Sequence, residues 1–133
     1  MRSRATVIGL FLLGLAAGCA ESGPPRLRLS GDAKFDGQPI PYGDVVFTPD
    51  DSKKNSGPQG FANIRDGRYD TSASGGKGFA GGPTVVRVTG LTGEGGKLLC
   101  EYEYKVDLPR DDGTHNIDVP KSAAGPLKTG PDI

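Results

Sequence analysis

Apolar and polar residues alternate with a period of two along most of the chain after residue 25, a pattern that predicts β-strands. The longest alternation runs from Leu98 to Asp107, where apolar side chains at even positions are interleaved with mostly charged side chains at odd positions. A valine-rich segment from Thr84 to Thr89 shows the same pattern. Five further strands are predicted at 26–35, 44–48, 59–64, 68–72 and 115–119. Seven short strands separated by turn residues predict an all-β domain, a seven-stranded antiparallel β-sandwich.

The composition tests whether these strands belong to a folded domain. Glycine and proline supply 22 and 11 of the 133 residues, a share close to that of low-complexity chains. However, 16 basic residues balance 16 acidic ones and 35% of the residues are hydrophobic, whereas disordered chains combine low hydrophobicity with a net charge. The length suits one domain. The zero net charge also argues against a nucleic acid partner, which requires a basic surface.

The N-terminal segment is typical of a secretory signal and not of the fold. Arg2 and Arg4 precede an apolar run from Ala5 to Ala17. As a helix this run would span only ~20 Å, which is too short for a hydrocarbon core of ~30 Å. We therefore expect a cleaved signal peptide and not a transmembrane anchor.

The end of this run, Leu15-Ala16-Ala17-Gly18-Cys19, resembles the lipobox of bacterial lipoproteins. The resemblance implies that residues 1–18 are removed, that Cys19 carries the lipid, and that residues 19–25 tether the domain to a membrane. Ala20 weakly favours the outer membrane, because the enterobacterial pattern for inner-membrane retention has Asp after the cysteine. The alternative is an ordinary secreted protein with a chance cysteine at its cleavage site. In either case we expect an extracytoplasmic protein. The strand pattern places the domain at 26–120, and we expect residues 121–133 to form a flexible C-terminal tail.

Several turn motifs resemble those of the carboxypeptidase regulatory-like, transthyretin-like domain, a β-sandwich related in shape to the immunoglobulin fold. They are GDAKFDGQPIPYGDVVFTP at 31–49, IRDGRYDTS at 64–72 and GGPTVVRVTG at 81–90. The resemblance covers about residues 29–120 and implies the fold much more strongly than a function. Its structural turns carry over to Gly37, Pro39, Gly67 and Pro83. Gly37 and Gly67 follow Asp in hairpin turns, where we expect a positive φ.

A glycine-rich segment at 76–81 matches the letters of the G-x-G-x-x-G dinucleotide motif through Gly76, Gly78 and Gly81. That motif requires a helix after the glycines, whose N-terminus holds the pyrophosphate. Here Pro83 and a valine-rich strand follow, so we expect a mobile loop and no nucleotide.

Few residues of the chain suggest catalysis or metal binding. Cys100 and His115 fall on predicted inward faces, so a thiol–imidazole pair is one interpretation and a buried core cysteine is the favoured one. One histidine cannot build a zinc site. Glu101 and Glu103 share a strand face about 7 Å apart, which a solvated face explains better than a glycosidase pair. Asp50-Asp51 and Asp111-Asp112-Gly113 lack the spacing of a known calcium loop. We therefore expect no cofactor and no metal.

These observations together predict a non-enzymatic, lipid-anchored envelope protein that acts as a structural or protein-interaction module. The alternative is a carbohydrate- or peptidoglycan-binding module, in which exposed aromatic rings would stack on sugars. The aromatic residues available for stacking are Tyr42, Tyr69, Phe79, Tyr102 and Tyr104. Because the chain has no Trp and these residues also suit a core, the glycan interpretation comes second.

Overall fold

A computed structural model describes residues 26–133, which form an all-β domain with no α-helix. The strands are β1 (Leu29–Phe35), β2 (Gln38–Pro39), β3 (Tyr42–Pro49), β4 (Gly60–Arg65), β5 (Arg68–Asp70), β6 (Gly82–Leu91), β7 (Leu98–Leu108), β8 (Gly113–Thr114), β9 (Ile117–Val119) and β10 (Gly125–Asp132). Two short 3-10 turns lie at Asp51–Lys53 and Lys121–Ala123. The all-β class is as predicted, and each of the seven predicted strands corresponds to one of these elements.

The strands form one curled sheet in the order β10-β7-β6-β3-β4-β5-β1-β2, with β8 and β9 also paired to β1. The central pairs are long and antiparallel, as between β6 and β7, where Val86 is opposite Tyr104. Alternate residues of β3, β6 and β4 are buried, which places their apolar side chains on the inner side of the curl. Each of these strands has one buried face, and for this reason apolar residues alternate with polar ones in its sequence.

The strictly antiparallel arrangement that we predicted is wrong, because three pairings are parallel: β1–β8, β1–β9 and β7–β10. Their direction follows from the end of the sheet at which each preceding element finishes. Strand β7 finishes beside the start of β1, so β8 and β9 run in the same direction as β1. Strand β9 finishes at the opposite end, beside the start of β7, so β10 runs parallel to β7. The number of strands is also larger than the predicted seven.

The segment 121–133, which we predicted to be a flexible tail, contains β10. Its register places Gly125 beside Cys100 and Lys128 beside Tyr102 of β7. Gly130 leaves room for the end of the Tyr102 side chain, because a Cβ at 130 would overlap the tyrosine hydroxyl unless that side chain moved. Strand β10 forms through its pairing with β7 and has no alternating apolar pattern of its own, so the sequence of this segment does not predict a strand.

The core lies inside the curl. Phe47 is at its centre, with ring centroids 5.8 Å from Tyr69 and 6.3 Å from Phe79. Other fully buried large residues come from five strands and from the connection between β2 and β3: Leu29, Ile40, Val45, Ile64, Val86, Val88 and Ile117.

The two Asp-Gly turns have the backbone geometry of tight hairpins. Gly37 and Gly67 both have a φ of +76°. The two turns also contact one another, because a Cβ at Gly67 would lie 2.5 Å from Cβ of Pro39. Gly67 NH donates to the Ile40 carbonyl at 2.8 Å. Pro83, in contrast, lies within β6 and not in a turn.

Candidate functional site

The two margins of the curled sheet approach one another at His115, which lies between β8 and β9. The hydroxyl of Tyr104 on β7 is 2.7 Å from His115 Nε2. Tyr69 on β5 donates a hydrogen bond of 2.5 Å from its hydroxyl to the backbone oxygen of His115. The rings of Tyr104 and His115 are 6.1 Å apart between centroids. We call Tyr69, Tyr104 and His115 the His115 cluster, since three segments distant in sequence meet there.

A glycine permits this close approach. A Cβ at Gly31 of β1 would lie 2.8 Å from the carbonyl carbon of His115 and closer still to its oxygen. This carbonyl oxygen accepts a hydrogen bond from Tyr69, and the backbone NH of Asp32 on β1 does not bond to it. Instead, Asn116 Oδ1 accepts a hydrogen bond of 3.0 Å from the backbone NH of Asp32. The side chain of Asn116 thus continues the pairing between β1 and the β8–β9 segment.

Burial keeps the side chains of the His115 cluster neutral near pH 7. It lowers the pKa of His115, an effect that the carboxylate of Asp118 opposes. Burial also raises the pKa of Tyr69 and, together with Tyr102 and Asp118, that of Tyr104. At Nε2 the neutral imidazole accepts a hydrogen bond from the Tyr104 hydroxyl or donates one to it, depending on which ring nitrogen carries the proton. This nitrogen is therefore occupied, and the cluster is suited to holding the two margins together and not to taking a proton from a substrate.

A pocket of about 200 Å³ opens to solvent beside the cluster. Strand β7 contributes Tyr102 and Tyr104, the β8–β9 segment contributes His115, Asn116 and Asp118, and the C-terminal segment contributes Pro131 and Ile133. Tyr102 is half-buried, and its ring centroid is 5.7 Å from that of Tyr104. An aromatic surface next to an amide and a carboxylate is typical of a binding site.

No family model, curated protein or solved structure matches the chain. Cys19 and the motif residues 15–18 lie outside the residues that the structure describes, so lipid attachment stays a prediction. Within 26–133, no helix is long and apolar enough to cross a membrane.

Cys100 and His115 are not paired. Cys100 is fully buried on β7, four residues before the tyrosine that contacts His115. Four residues of a strand span about 13 Å between Cα atoms. The Cys100 thiol packs against Gly90, and burial raises its pKa. A thiol that stays protonated is a weak nucleophile, so this cysteine belongs to the core.

The glycine-rich segment 76–81, which we predicted to be a mobile loop, is paired by backbone hydrogen bonds on both sides. Lys77 and Phe61 exchange two backbone hydrogen bonds of 2.8 and 2.9 Å. Phe79 and Leu27 exchange two more, of 2.8 and 3.0 Å, and Phe79 is buried. The glycines serve close backbone contacts, and the next element is strand β6.

Glu101 and Glu103 lie on the outer face of the sheet beside cationic neighbours. Glu101 forms an ion pair with Arg87 on β6. Asp44 on β3 lies near this ion pair. Burial and the negative charge of Glu101 raise the pKa of Asp44, whereas the positive charge of Arg87 lowers it. The two glutamates therefore belong to a charged strip on the sheet surface.

The aspartates that we considered for calcium stabilise loops. Asp50 Oδ1 accepts a hydrogen bond of 3.0 Å from Ser52 NH, and Lys105 Nζ is 4.0 Å from its other oxygen. Asp112 accepts a hydrogen bond of 2.7 Å from the backbone NH of Arg28. Within the described part of the chain, no group of three or more His, Cys, Asp or Glu residues is placed to hold a metal ion.

The aromatic residues divide between core and surface. Three of them are buried: Tyr69, Phe79 and Tyr104. Tyr42 is partly exposed, but the guanidinium carbon of Arg65 covers its ring at 3.8 Å. Tyr102 is left as the half-exposed ring that lines the pocket.

Sequence reasoning identified Tyr104 and His115 separately but missed Gly31 and Asn116 as the residues that bring them together. A single polar residue between alternating positions, such as Asn116, carries no local signal for its role. The need for glycine at 31 arises from a carbonyl group 84 positions along the chain.

Proposed function

We propose that this chain is a non-enzymatic, lipid-anchored protein of the bacterial cell envelope whose β-domain acts as a protein-interaction module. The observation that carries the proposal is the run from Leu15 to Cys19 at the end of an apolar segment too short to span a bilayer. Lipid on Cys19 would stabilise membrane attachment by about 0.8 kcal/mol per buried CH₂ group, so two or three acyl chains are sufficient. The domain would then act outside the cytoplasm.

The course of β1 supports display of the domain away from the membrane. Arg26 follows Cys19 by seven positions, so the tether reaches at most about 25 Å. Strand β1 begins close to this end, and its seven residues span about 23 Å before the turn at Asp36-Gly37. The Asp66-Gly67 turn lies at the same end. The hairpin turns would therefore face away from the lipid.

We further propose that the curled sheet is a transthyretin-like sandwich of the carboxypeptidase regulatory-like type. The contact of Phe47 on β3 with Tyr69 on β5 supports two facing layers, as do the Asp-Gly hairpins that carry the resemblance. An experimental structure with β3, β6 and β7 about 10 Å from the layer of β1 and β5 would agree. A fully closed barrel would contradict it.

The experiment that tests anchoring is detergent phase partitioning of the protein expressed with its signal segment. We expect the wild type in the detergent phase and the Cys19→Ser variant in the aqueous phase. Cys100→Ala is the matched control, because it removes the other cysteine and should leave the protein in the detergent phase. A wild type found in the aqueous phase would refute the lipid anchor.

The second candidate function is glycan binding, which the half-exposed Tyr102 next to Asn116 and Asp118 favours. Aromatic rings beside amide and carboxylate groups bind sugars by stacking and hydrogen bonding. Saturable binding to one envelope polysaccharide that Tyr102→Leu abolishes, without a protein partner in pull-downs, would favour this function over the first.

A further inference from the structure

The segment formed by β8 and β9 is an open edge of the sheet. Among the described strands, β8 and β9 pair with β1 alone. Gly113 NH and His115 NH donate to carbonyls of β1 at 3.0 and 2.9 Å. Because alternate residues of an edge strand direct their backbone groups to opposite sides, those of Thr114, Asn116 and Asp118 point away from β1. This edge can therefore pair with a further strand.

The opposite margin of the sheet is protected against such pairing. Strand β10 contains Pro126 and Pro131, which lack an NH group and are typical of guarded edges. The β8–β9 segment has no proline between Gly113 and Val119. The two margins thus differ: β10 is guarded by its prolines, and the β8–β9 edge, which carries His115 and faces β10 across the pocket, is open.

The pocket beside this edge is acidic and aromatic. Its ionisable groups include Asp118, while His115 is neutral, and no Lys or Arg is among the described residues that line it. Lys34 is the neighbour of Asp118 on β1, but within residues 26–133 no cationic group lies within 4.0 Å of the Asp118 carboxylate. The ring of Tyr102 lies in the same pocket. A carboxylate beside tyrosine rings attracts an ammonium or guanidinium group through its charge and through cation–π contact.

We propose that the β8–β9 edge binds an extended segment of a partner protein, which adds as a strand and places a lysine or arginine side chain in the pocket of Tyr102 and Asp118. Backbone pairing along the edge provides most of the contact, and the basic side chain provides the specificity. The proposal rests on the proposed role as an interaction module and names the partner chemistry that this role would use.

The test uses a blocked heptapeptide of alternating threonine and valine with a central lysine, titrated into the full chain in detergent micelles by calorimetry. Amide NMR shifts locate the binding. We expect saturable binding with shifts at 113–119, and much weaker binding of the peptide with central glutamate. N-methylation of alternate residues, which removes their NH groups, should also abolish binding.

Two variants and a control test the pocket. Asp118→Asn and Tyr102→Leu should each weaken binding of the lysine peptide by about three- to tenfold. Asp107→Asn, which removes an exposed carboxylate on β7 outside the pocket, should leave the affinity unchanged.

Equal binding of the lysine and glutamate peptides, no binding of either, or shifts elsewhere on the domain would overturn the proposal. Binding of a soluble envelope glycan that Tyr102→Leu abolishes, with no peptide binding, would overturn it in favour of a sugar site. If the wild type and the Cys19→Ser variant both partition into the aqueous phase and both bind the lysine peptide, the lipid anchor is refuted and the peptide site is not.

Discussion

The close approach of β1 to the His115 carbonyl makes Gly31→Ala the most informative stability variant. The added Cβ would lie 2.8 Å from the carbonyl carbon and 3.0 Å from Asn116 Oδ1, so the β8–β9 segment must move outward by about 1 Å to restore ordinary contact. The Gly31 φ lies outside the left-handed region, so alanine adds no backbone strain. The effect measured is therefore that of the steric contact.

The expected cost follows from the hydrogen bonds that this movement lengthens. They are the bonds from Tyr69 to the His115 oxygen, between Tyr104 and His115 Nε2, and from Asp32 NH to Asn116. Weakening bonds of buried hydroxyls costs about 1–3 kcal/mol for each group left unsatisfied. Replacing glycine by alanine stabilises the folded state by about 0.4–1 kcal/mol through the unfolded chain. We expect a net loss of about 2–3 kcal/mol in the free energy of unfolding.

The assay is urea denaturation with a matched glycine variant. Gly113→Ala changes a glycine of β8, also paired to β1, whose added Cβ would meet Pro109 at an ordinary 3.5 Å. It should raise the free energy of unfolding by about 0.4–1 kcal/mol, because only the effect on the unfolded chain remains. If Gly31→Ala and Gly113→Ala have the same stability, the close approach is not a constraint. In a double-mutant cycle, Gly31→Ala and Tyr69→Phe should be less than additive, because both act on the same hydrogen bond.

Three further predictions concern pH, turns and the buried thiol. Folding lowers the pKa of His115 from 6.5, so the unfolded chain binds more protons than the folded one between pH 7 and 5. The free energy of unfolding should therefore fall as pH falls through this window. His115→Gln should make the free energy of unfolding less dependent on pH there. Gly67→Val should lower the free energy of unfolding by at least about 1 kcal/mol more than Gly37→Val, as measured by urea denaturation. Both glycines have a positive φ, but only Gly67 contacts Pro39. Equal costs would contradict that contact. Cys100 should react with a thiol reagent only after addition of urea, and rapid labelling of the native protein would show that it is not buried.

The sequence pattern predicts the long strands because each has one buried face, as Cys100 and Tyr104 alternate with Glu101 and Glu103 on β7. It misses β10, since Gly125–Asp132 has no alternation and is a strand only through its pairing with β7.

The candidate site is visible in the sequence only in part. Tyr104 and His115 stand out as residue types. Their contact depends on Gly31 and on the parallel course of β8, which result from long-range pairing and leave no local mark.

The most direct test of the account is mass spectrometry of the mature N-terminus of protein purified from bacterial membranes. We expect a first residue at Cys19, carrying a diacylglyceryl group on its sulfur, with residues 1–18 removed. An unmodified Cys19, or a mature chain that begins elsewhere, would contradict the lipid anchor and with it the proposed function.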